Sequence, residues 1–496
     1  MSAHSLRPQE GDPTQPEVRA GAPGFVRARE ALSLLQPVGA AERRTRPGSA
    51  TARHAPRVLL LTSTLGAGHA RAAEAIELAV RNRVPRAQVE TLDFWSLADP
   101  QVTYGTRQTY LRLVRARPEL YDRIYQLDQR TWRQIVESNE APPPALAEVL
   151  ALMPDRTERR AQCAAHGRRF PLDRVVFPLL CAALEGRPRG WPRLNKLARI
   201  AAVWWAWARL TARLEARLAA LQPDAIVITQ MNLGALLSSV KKRRNWNSPT
   251  LGVLTDFGVH DFWLQPGIDR YCVAHEEIVG LDRDSIDPAR IMVSGIPLMP
   301  GFRQPPSVHE ARAQLQLPAH AAVVLILGGG LGLGVEAAAE RLLACSGDLQ
   351  LVVMAGQNGS AHTSLARLEA RYGARLRVLG WTEHMEVPMR AADIIVGKPG
   401  GLTVAEALAC GRPLVATRSL GGQEGFNVRF LEAHQVGRLV PEHELVQCVE
   451  SAVKDRDGLA RTQDRAMRLG KRDGADRVAE LALALAQTHR TGRRTA

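Results

Sequence analysis

The sequence predicts an α/β protein with two parallel-sheet domains that face a cleft. Short apolar runs alternate with helix-length segments along most of the 496 residues, and this alternation is typical of β-α-β crossovers. The runs fall into two blocks, 57–295 and 320–485, joined by a proline-rich stretch. Open parallel sheets bind ligands beyond the carboxyl ends of their strands, so we expect the site in the cleft.

The first strand is predicted at 58–64, where VLLLTST runs into a glycine turn and then into a segment with apolar residues at helical spacing. Further strands are predicted wherever a similar short apolar run recurs, at 224–229, 250–255, 321–327, 349–355, 375–380, 392–397 and 412–417. The segments between these runs are long enough for crossover helices.

Five segments follow from this organisation. Residues 1–55 are rich in Pro, Gly, Ala and Arg without periodicity, which predicts a disordered tail. An N-terminal α/β domain with a basic helical insertion is predicted at 56–298, a linker at 299–318, a C-terminal α/β domain at 319–485, and a basic tail at 486–496.

The charge is strongly positive and unevenly placed. There are 65 Lys+Arg against 50 Asp+Glu, a net charge of +15, and basic residues exceed acidic ones by nine within 151–220. This excess favours an acidic partner: nucleic acid, an anionic membrane surface or a phosphorylated substrate. No nucleic-acid module is recognisable, so nucleic acid is not expected.

No segment has the character of a membrane span or a signal sequence. The longest apolar run, IAAVWWAWA at 200–208, is far shorter than the ~20 residues needed to cross a bilayer. The first 25 residues lack an apolar stretch and carry acidic residues. We therefore expect a cytoplasmic protein.

The segment 199–221 predicts an amphipathic helix. Val203, Trp207, Leu210, Leu214, Leu218 and Leu221 form one stripe, with Trp204 beside it and arginines 209, 213 and 217 off it. We expect the leucine half to pack on the N-terminal sheet. The tryptophan half has the composition of an interfacial helix and is expected to contact anionic lipid.

Three glycine-rich turns are candidate ligand sites, because glycine lets the backbone approach a ligand and a helix N-terminus favours negative charge. They are TLGAGH at 64–69, LGGGLGLG at 327–334 and Lys398-Pro-Gly-Gly at 398–401. A tight strand-to-helix packing corner is the alternative for each. The second turn is not a GxGxxG and lacks the ribose-binding acid, so NAD is a poor candidate.

The third turn lies in ADIIVGKPGGLTVAEALACGRPLVATRSLGGQEGFN at 392–427, which resembles the nucleotide-sugar site of glycosyltransferases related to monogalactosyldiacylglycerol synthases and bacterial processive diacylglycerol glucosyltransferases. The peptidoglycan N-acetylglucosaminyltransferase is more distantly similar. Four other stretches resemble the family in the same order: LLLTSTLGAGHARAAEAI (59–76), YLRLVRARPELYDRIY (110–125), VLTDFGVHDFWLQPGIDRYCVAHEE (253–277) and SGIPLMPGF (294–302).

The resemblance implies two Rossmann-like domains in the GT-B glycosyltransferase arrangement. It implies metal-independent, inverting transfer of a hexose from a UDP-sugar to a lipid hydroxyl, with diacylglycerol as the first candidate, on the inner face of the cell membrane. No cofactor is expected beyond the UDP-sugar donor. The one DxD, Asp282-Arg-Asp284, lies in a polar turn and is interpreted as solvated turn acids.

Three alternatives stay open: a UDP-GlcNAc transferase acting on a polyprenyl-linked or other acceptor, a UDP-sugar 2-epimerase, and a non-catalytic UDP-sugar- or lipid-binding protein. Departures from the family pattern, Gln230-Met231 after one strand and Gly-Phe-Asn at 425–427, leave the hexose and the lipid open.

Roles follow from the resemblance residue by residue. His69 is the candidate general base, since its pKa suits proton transfer near neutral pH; the alternative is a histidine that only hydrogen-bonds acceptor or phosphate. Asp256 is expected to orient or assist the base, or to cap a turn. His260 is expected to be structural or to contact acceptor.

The candidate donor-binding residues are Gly66, Gly68, Gly328, Gly329, Gly330, Lys398, Gly400 and Gly401 around the phosphates, Glu406 on the ribose, and Gln423, Glu424 and Asn427 on sugar hydroxyls or phosphate.

Overall fold

Two parallel six-stranded sheets organise the chain, which confirms the predicted fold class. The computed structural model describes residues 26–27, 55–98, 100–125, 129–140, 144–155, 157–158, 161, 192–278, 286–329, 332, 334–345, 349–356, 359–419 and 422–495. Of the predicted tail at 1–55, the described part includes Val26–Arg27, which pairs antiparallel with Glu277–Ile278.

The N-terminal sheet has the strand order β2-β1-β3-β4-β5-β6, with every neighbouring pair parallel. Its strands are β1 (Arg57–Thr62), β2 (Gln88–Asp93), β3 (Ala225–Ile228), β4 (Thr250–Val253), β5 (Arg270–Val273) and β6 (Ile291–Val293). The central strands are buried on both faces because helices cover them, which explains their continuous apolar sequences.

The C-terminal sheet repeats this plan with the order β9-β8-β7-β10-β11-β12, again all parallel. Its strands are β7 (Ala322–Leu327), β8 (Leu349–Met354), β9 (Leu376–Leu379), β10 (Ile394–Gly397), β11 (Leu414–Ala416) and β12 (Gly437–Leu439). In both sheets the first strand along the chain lies inside the sheet, as right-handed crossovers on both faces require.

Helices connect and flank the strands. In the N-terminal half they are α1 (Ala67–Arg83), α2 (Phe94–Leu97), α3 (Pro100–Ala116), α4 (Pro118–Tyr125), α5 (Gln129–Glu137), α6 (Pro144–Ala151), α7 (Pro192–Leu221) and α8 (Met231–Arg244). In the C-terminal half they are α9 (Val308–Gln314), α10 (Val335–Cys345), α11 (Gly359–Tyr372), α12 (Glu386–Ala391), α13 (Gly401–Ala409), α14 (Gln423–Ala433), α15 (Leu445–Lys454), α16 (Arg456–Leu469) and α17 (Gly474–Thr495).

Four strands of the two six-stranded sheets were not among the predicted runs: β2, β5, β6 and β12. Three of them, β2, β6 and β12, are edge strands. An edge strand has a single neighbour and is only partly buried, so its sequence need not be apolar. The fourth, β5, reads RYCV after a Pro-Gly turn, and its exposed Arg270 leaves only three buried residues for an apolar run.

The last helix packs on the N-terminal sheet although it follows the C-terminal one. Val478, Ala479 and Ala482 of α17 belong to the same buried cluster as Ile76 and Val80 of α1. The predicted division into a C-terminal domain ending at 485 and a tail at 486–496 therefore cuts a single helix. The buried apolar residues of this helix form one face, and only the folded chain decides which sheet that face covers.

Helix α7 is buried at its C-terminal end and exposed toward its N-terminal end. Leu214 and Leu218 are fully buried against the N-terminal sheet, as predicted for the leucine half. Trp204 is 72% exposed and Trp207 is 40% exposed. Within the described part of the chain, no helix combines the length and the apolar character needed to cross a membrane.

Candidate active site

A cavity of about 450 Å³ lies where the carboxyl ends of the strands of both sheets meet. Twelve of the fourteen predicted site residues line it: Gly66, Gly68, His69, Asp256, Gly328, Gly329, Lys398, Gly400, Gly401, Glu406, Gln423 and Glu424. Gly330 lies outside the described residues, and Asn427 is buried behind the wall. The turns at 64–69 and 398–401 each open a helix here, α1 and α13, so two helix N-termini meet at one cavity. Such an arrangement suits an anionic ligand.

The turn that carries His69 is anchored by the end of β2. Gly66 precedes α1 with a φ of +104°, a conformation that glycine adopts without strain. The backbone N–H of Thr64 donates to Asp93 Oδ1 at 3.0 Å, and the Thr64 hydroxyl donates to Asp93 Oδ2 at 2.7 Å. An edge strand that the sequence did not reveal thus fixes the position of the histidine.

His69 contacts residues just beyond the ends of β3 and β4. Its Nδ1 lies 3.0 Å from Thr255 Oγ1, and its carbonyl accepts a hydrogen bond from Thr229 Oγ1 at 3.2 Å. Burial lowers the pKa of His69 below 6.5, and the neighbouring Asp256 carboxylate opposes that shift in part. The imidazole is therefore neutral at pH 7. With Nδ1 held by Thr255, Nε2 is the ring nitrogen that can accept a proton from a ligand.

Asn427 does not offer its side chain to the cavity, which corrects the predicted contact to sugar or phosphate. It is 0% exposed. Its Nδ2 donates to Asp256 Oδ1 at 2.9 Å and to the Pro399 carbonyl at 3.0 Å, while its Oδ1 accepts from the Phe257 N–H at 2.8 Å. The protein therefore supplies partners for both the nitrogen and the oxygen of this amide. A buried amide without such partners would cost free energy.

The two halves of the molecule are in close contact beside the third glycine turn. A Cβ on Gly401 would lie 1.9 Å from the Thr255 carbonyl oxygen and 2.7 Å from Asp256 Oδ1. A Cβ on Gly258 would lie 2.3 Å from the Phe426 ring. Both distances are far below contact distance, so the closed arrangement requires glycine at both positions.

Glu406 faces the cavity from the second turn of α13. Burial raises its pKa to about 8; Arg71 across the cleft lowers it in part, and Glu386 raises it further. A carboxyl group with this pKa is mostly protonated at pH 7. It becomes a strong hydrogen-bond acceptor once a diol or a positive charge favours the ionised form.

Lys398 is not a solvated loop lysine, the alternative considered for it, because it forms an ion pair with Glu424. Burial lowers the pKa of Lys398, but Glu424, Tyr110 and Asp256 outweigh this and raise it, so the ammonium stays charged. The Tyr110 hydroxyl lies near the pair, and burial raises its pKa. The tyrosine comes from α3 of the N-terminal half, so this charge pair also lies at the domain interface.

Several lining residues were not predicted individually. Tyr110 and Tyr121 stack edge to face with ring centroids 5.9 Å apart, and both belong to the segment 110–125 that carried the family resemblance. Their place within that segment was the available signal. Arg71 and Trp381 also line the cavity. Arg71 belongs to the family-like segment 59–76, whereas Trp381 lies in none of the segments that carried the resemblance.

His260 caps a local turn, which is a structural role and one of the two roles predicted for it. Its Nδ1 accepts from the Phe262 N–H at 3.2 Å at the start of a short 3₁₀ helix. The DxD at 282–284 lies outside the described residues. Among the described residues, no group of three or more His, Cys, Asp or Glu side chains is placed to hold a metal ion.

A larger cavity, of about 950 Å³, lies on the C-terminal half between β12, α15 and α16. Its charged lining is balanced, with Arg438, Arg461 and Arg465 facing Glu432, Glu444 and Asp455. It contains none of the predicted site residues, so the smaller interdomain cavity is the candidate active site.

Two family models match separate parts of the chain. Residues 195–298 match monogalactosyldiacylglycerol (MGDG) synthase, and residues 329–455 match glycosyl transferases group 1. These matches confirm the family resemblance that the sequence motifs indicated.

Curated relatives agree with the family matches. The chain is 32% identical over 244 residues to the processive diacylglycerol beta-glucosyltransferase of Bacillus subtilis (strain 168), covering 48% of this chain and 63% of that protein. It is 31% identical over 241 residues to the protein of the same name from Bacillus pumilus (strain SAFR-032), covering 48% and 62%. The match thus spans less than two-thirds of the length of either relative.

Among solved structures, the glycotransferase of kitacinnamycin superimposes on 88% of this chain and 100% of its own, with a TM-score of 0.51 and 15% sequence identity. This similarity confirms the fold, with two Rossmann-like domains facing a cleft. At that level of identity it carries no information on substrates.

Proposed function

We propose that this protein transfers a hexose from a UDP-sugar to a lipid hydroxyl, with diacylglycerol as the acceptor. One observation carries the proposal: His69 and Asp256 from the N-terminal half meet Glu406 and Lys398 from the C-terminal half in a single cavity. The names of the curated relatives support the acceptor, because both are diacylglycerol glucosyltransferases.

In the proposed reaction His69 Nε2 removes the proton from the acceptor hydroxyl. The acceptor oxygen attacks the anomeric carbon as the bond between that carbon and the β-phosphate oxygen breaks, and UDP leaves with the bonding electrons. A single displacement of this kind inverts the anomeric configuration. The lowered pKa of His69 keeps the imidazole in its basic form at neutral pH, as a general base requires.

The leaving diphosphate gains negative charge, which the protein must stabilise. Amides at the start of α1 and α13 border the cavity beside the glycines of both turns, and helix N-termini stabilise anions. Lys398 adds a positive charge next to them. We assign the diphosphate to this corner and the ribose to Glu406.

The test of the function is a transfer assay. Purified protein is incubated with diacylglycerol in anionic liposomes and with radiolabelled UDP-glucose or UDP-galactose, in the presence and absence of EDTA. Label in the lipid, unchanged by EDTA, is the expected result, and the donor that supplies it identifies the hexose. If UDP binds but no label reaches diacylglycerol, this acceptor is wrong, and polyprenyl-linked acceptors and a binding-only role become the candidates.

The ribose assignment predicts that UDP-glucose binding strengthens as pH rises toward 8. The pKa of Glu406 is about 8 in the free protein, so below pH 8 the side chain must lose a proton before it can bind the ribose as a carboxylate. The affinity for UDP-glucose should therefore fall about tenfold for each pH unit below 8. Calorimetric titration between pH 6 and 8.5 measures this slope. Glu406→Gln should bind more weakly and show a flat profile; an unchanged slope in this variant would remove Glu406 from the ribose site.

We also propose that the exposed part of α7 rests on an anionic membrane surface, with the protein on the inner face of the cell membrane. Leu194, Leu197 and Trp204 are 62%, 62% and 72% exposed and lie three and seven residues apart on one helix face. Exposed Arg193 precedes them on the same helix. An apolar stripe beside basic side chains complements a negatively charged lipid surface.

Replacing both Trp204 and Trp207 with alanine is predicted to weaken vesicle binding by about tenfold or more, since each large apolar side chain withdrawn from water contributes roughly 1.5 kcal/mol. Co-sedimentation with phosphatidylcholine vesicles, with and without phosphatidylglycerol, measures the change. Leu439→Ala is the matched control, because Leu439 is an exposed apolar residue (41%) on the other sheet. Equal binding by the double variant and the control would exclude α7 as the contact.

A further inference from the structure

We infer that Asn427 is a positioning residue that couples closure of the two domains to the orientation of Asp256. The inference rests on the proposed function, and it concerns a residue that sequence reasoning had assigned to substrate. The side-chain amide of Asn427 forms hydrogen bonds to both halves of the molecule at once.

On the N-terminal side, the amide holds the loop that follows β4. Its Nδ2 donates to Asp256 Oδ1 at 2.9 Å, and its Oδ1 accepts from the backbone N–H of Phe257 at 2.8 Å. These two bonds fix both the carboxylate and the backbone that carries it. Asp256 in turn acts electrostatically on His69, so the orientation of this carboxylate bears on the proposed base.

On the C-terminal side, the same amide is hydrogen-bonded to the glycine turn at 398–401, which we call the donor turn. Nδ2 also donates to the carbonyl of Pro399, which immediately precedes Gly400 and Gly401. Asn427 lies three residues after Glu424 on α14, and Glu424 is paired with Lys398. The donor turn and α14 are therefore tied to each other through this residue and the ion pair.

Aromatic side chains of both halves pack around the amide. The Phe257 ring packs against the Phe430 ring with centroids 4.2 Å apart, and Gly258 lies against Phe426. Asn427 is 0% exposed between these contacts. The bonds to Asp256 and Phe257 can exist only while the halves are together, so opening the cleft releases Asp256 and closing it reorients that carboxylate.

The inference predicts a defect in turnover and not in donor affinity. Asn427→Ala should lower kcat by about 10²-fold, the loss typical of a misplaced catalytic group, with little change in the Kd for UDP. In an Asp256→Ala background the same substitution should cost nothing further, because the carboxylate it positions is absent. Gly425→Ala is the control on the same helix, since a Cβ there meets no atom within 4 Å.

Exchanging the carboxylate and the amide between positions 256 and 427, a pair of substitutions that we call the charge exchange, tests the contact without an assay of hexose transfer. Asn427→Asp places a second carboxylate against Asp256 and should oppose closure, which small-angle X-ray scattering would detect as a larger radius of gyration than in wild type. Adding Asp256→Asn restores the donor–acceptor pair between positions 256 and 427 and should return the radius of gyration toward that of wild type. Circular dichroism checks that every variant is folded.

The outcomes separate the two proposals. If wild type transfers no hexose but the charge exchange opens and recloses the molecule, the proposed function fails and the coupling of Asn427 to closure stands. If Asn427→Ala weakens UDP binding as much as it lowers kcat, or if its effect adds fully to that of Asp256→Ala, Asn427 is a donor contact and the inference is overturned. Identical scattering by wild type and Asn427→Asp would also overturn it.

Discussion

Replacing His69 with alanine is expected to lower kcat for hexose transfer by about 10²–10⁴-fold, the usual contribution of a general base, with UDP binding retained. The reason is geometric: Thr255 occupies Nδ1 at 3.0 Å, and Nε2 is the ring nitrogen left for the acceptor proton. Rates of label transfer to lipid, with calorimetric titration of UDP on the same samples, measure the two effects.

The pH profile gives a second readout for His69. Since burial lowers its pKa below 6.5, kcat should be constant near neutral pH and fall only below pH 6.5 as the imidazole gains a proton. His260→Ala is the control, because that histidine caps a 3₁₀ helix instead of lining the cavity. Full activity in His69→Ala, or an acid limb that survives in it, would show that another group is the base.

Gly401→Ala is expected to abolish most activity, by about 10²-fold or more, through a steric effect between the halves. Its Cβ would sit 1.9 Å from the Thr255 carbonyl, so the loop that carries Asp256 and the start of α13 must separate. The helix itself would tolerate alanine, which has a higher helix propensity than glycine. The loss therefore reports on closure of the cleft and not on folding of α13.

The measurement compares Gly401→Ala with Gly425→Ala, a second helical glycine whose added Cβ meets open space. Transfer rates and melting temperatures are recorded for both. We expect the first variant to be folded and nearly inactive and the second to behave as wild type. If Gly401→Ala retains wild-type kcat, the closed contact between Thr255 and Gly401 is not the state in which transfer occurs.

Much of the site could be located from sequence because it sits on glycine turns. A strand, a turn and a helix leave a strong local pattern, and the ends of parallel strands share one edge of a sheet. The turns at 64–69 and 398–401 therefore indicated His69, Lys398 and Gly401 together with their place in the cleft. Glu406 followed from its position on the helix after the turn at 398–401 and from the family resemblance.

The residues that were missed or misassigned depend on contacts between distant segments. Tyr110 reaches Lys398 across the interface, and Arg71 of α1 acts on Glu406 of α13. The family resemblance assigned Asn427 to substrate, yet folding buries it against Asp256, 171 residues away in sequence. Local patterns carry no record of such pairs.

By itself, the sequence determined the α/β class, the two-block organisation and the chemistry offered at the turns, because hydrophobic periodicity and glycine placement are local properties. Only the tertiary structure decided that α17 packs on the N-terminal sheet, that Asn427 is hydrogen-bonded to Asp256, and that Thr255 orients His69. These features depend on which surfaces meet when both sheets close on one another. That choice is made by the packing and hydrogen bonding of the whole chain and not by any single segment.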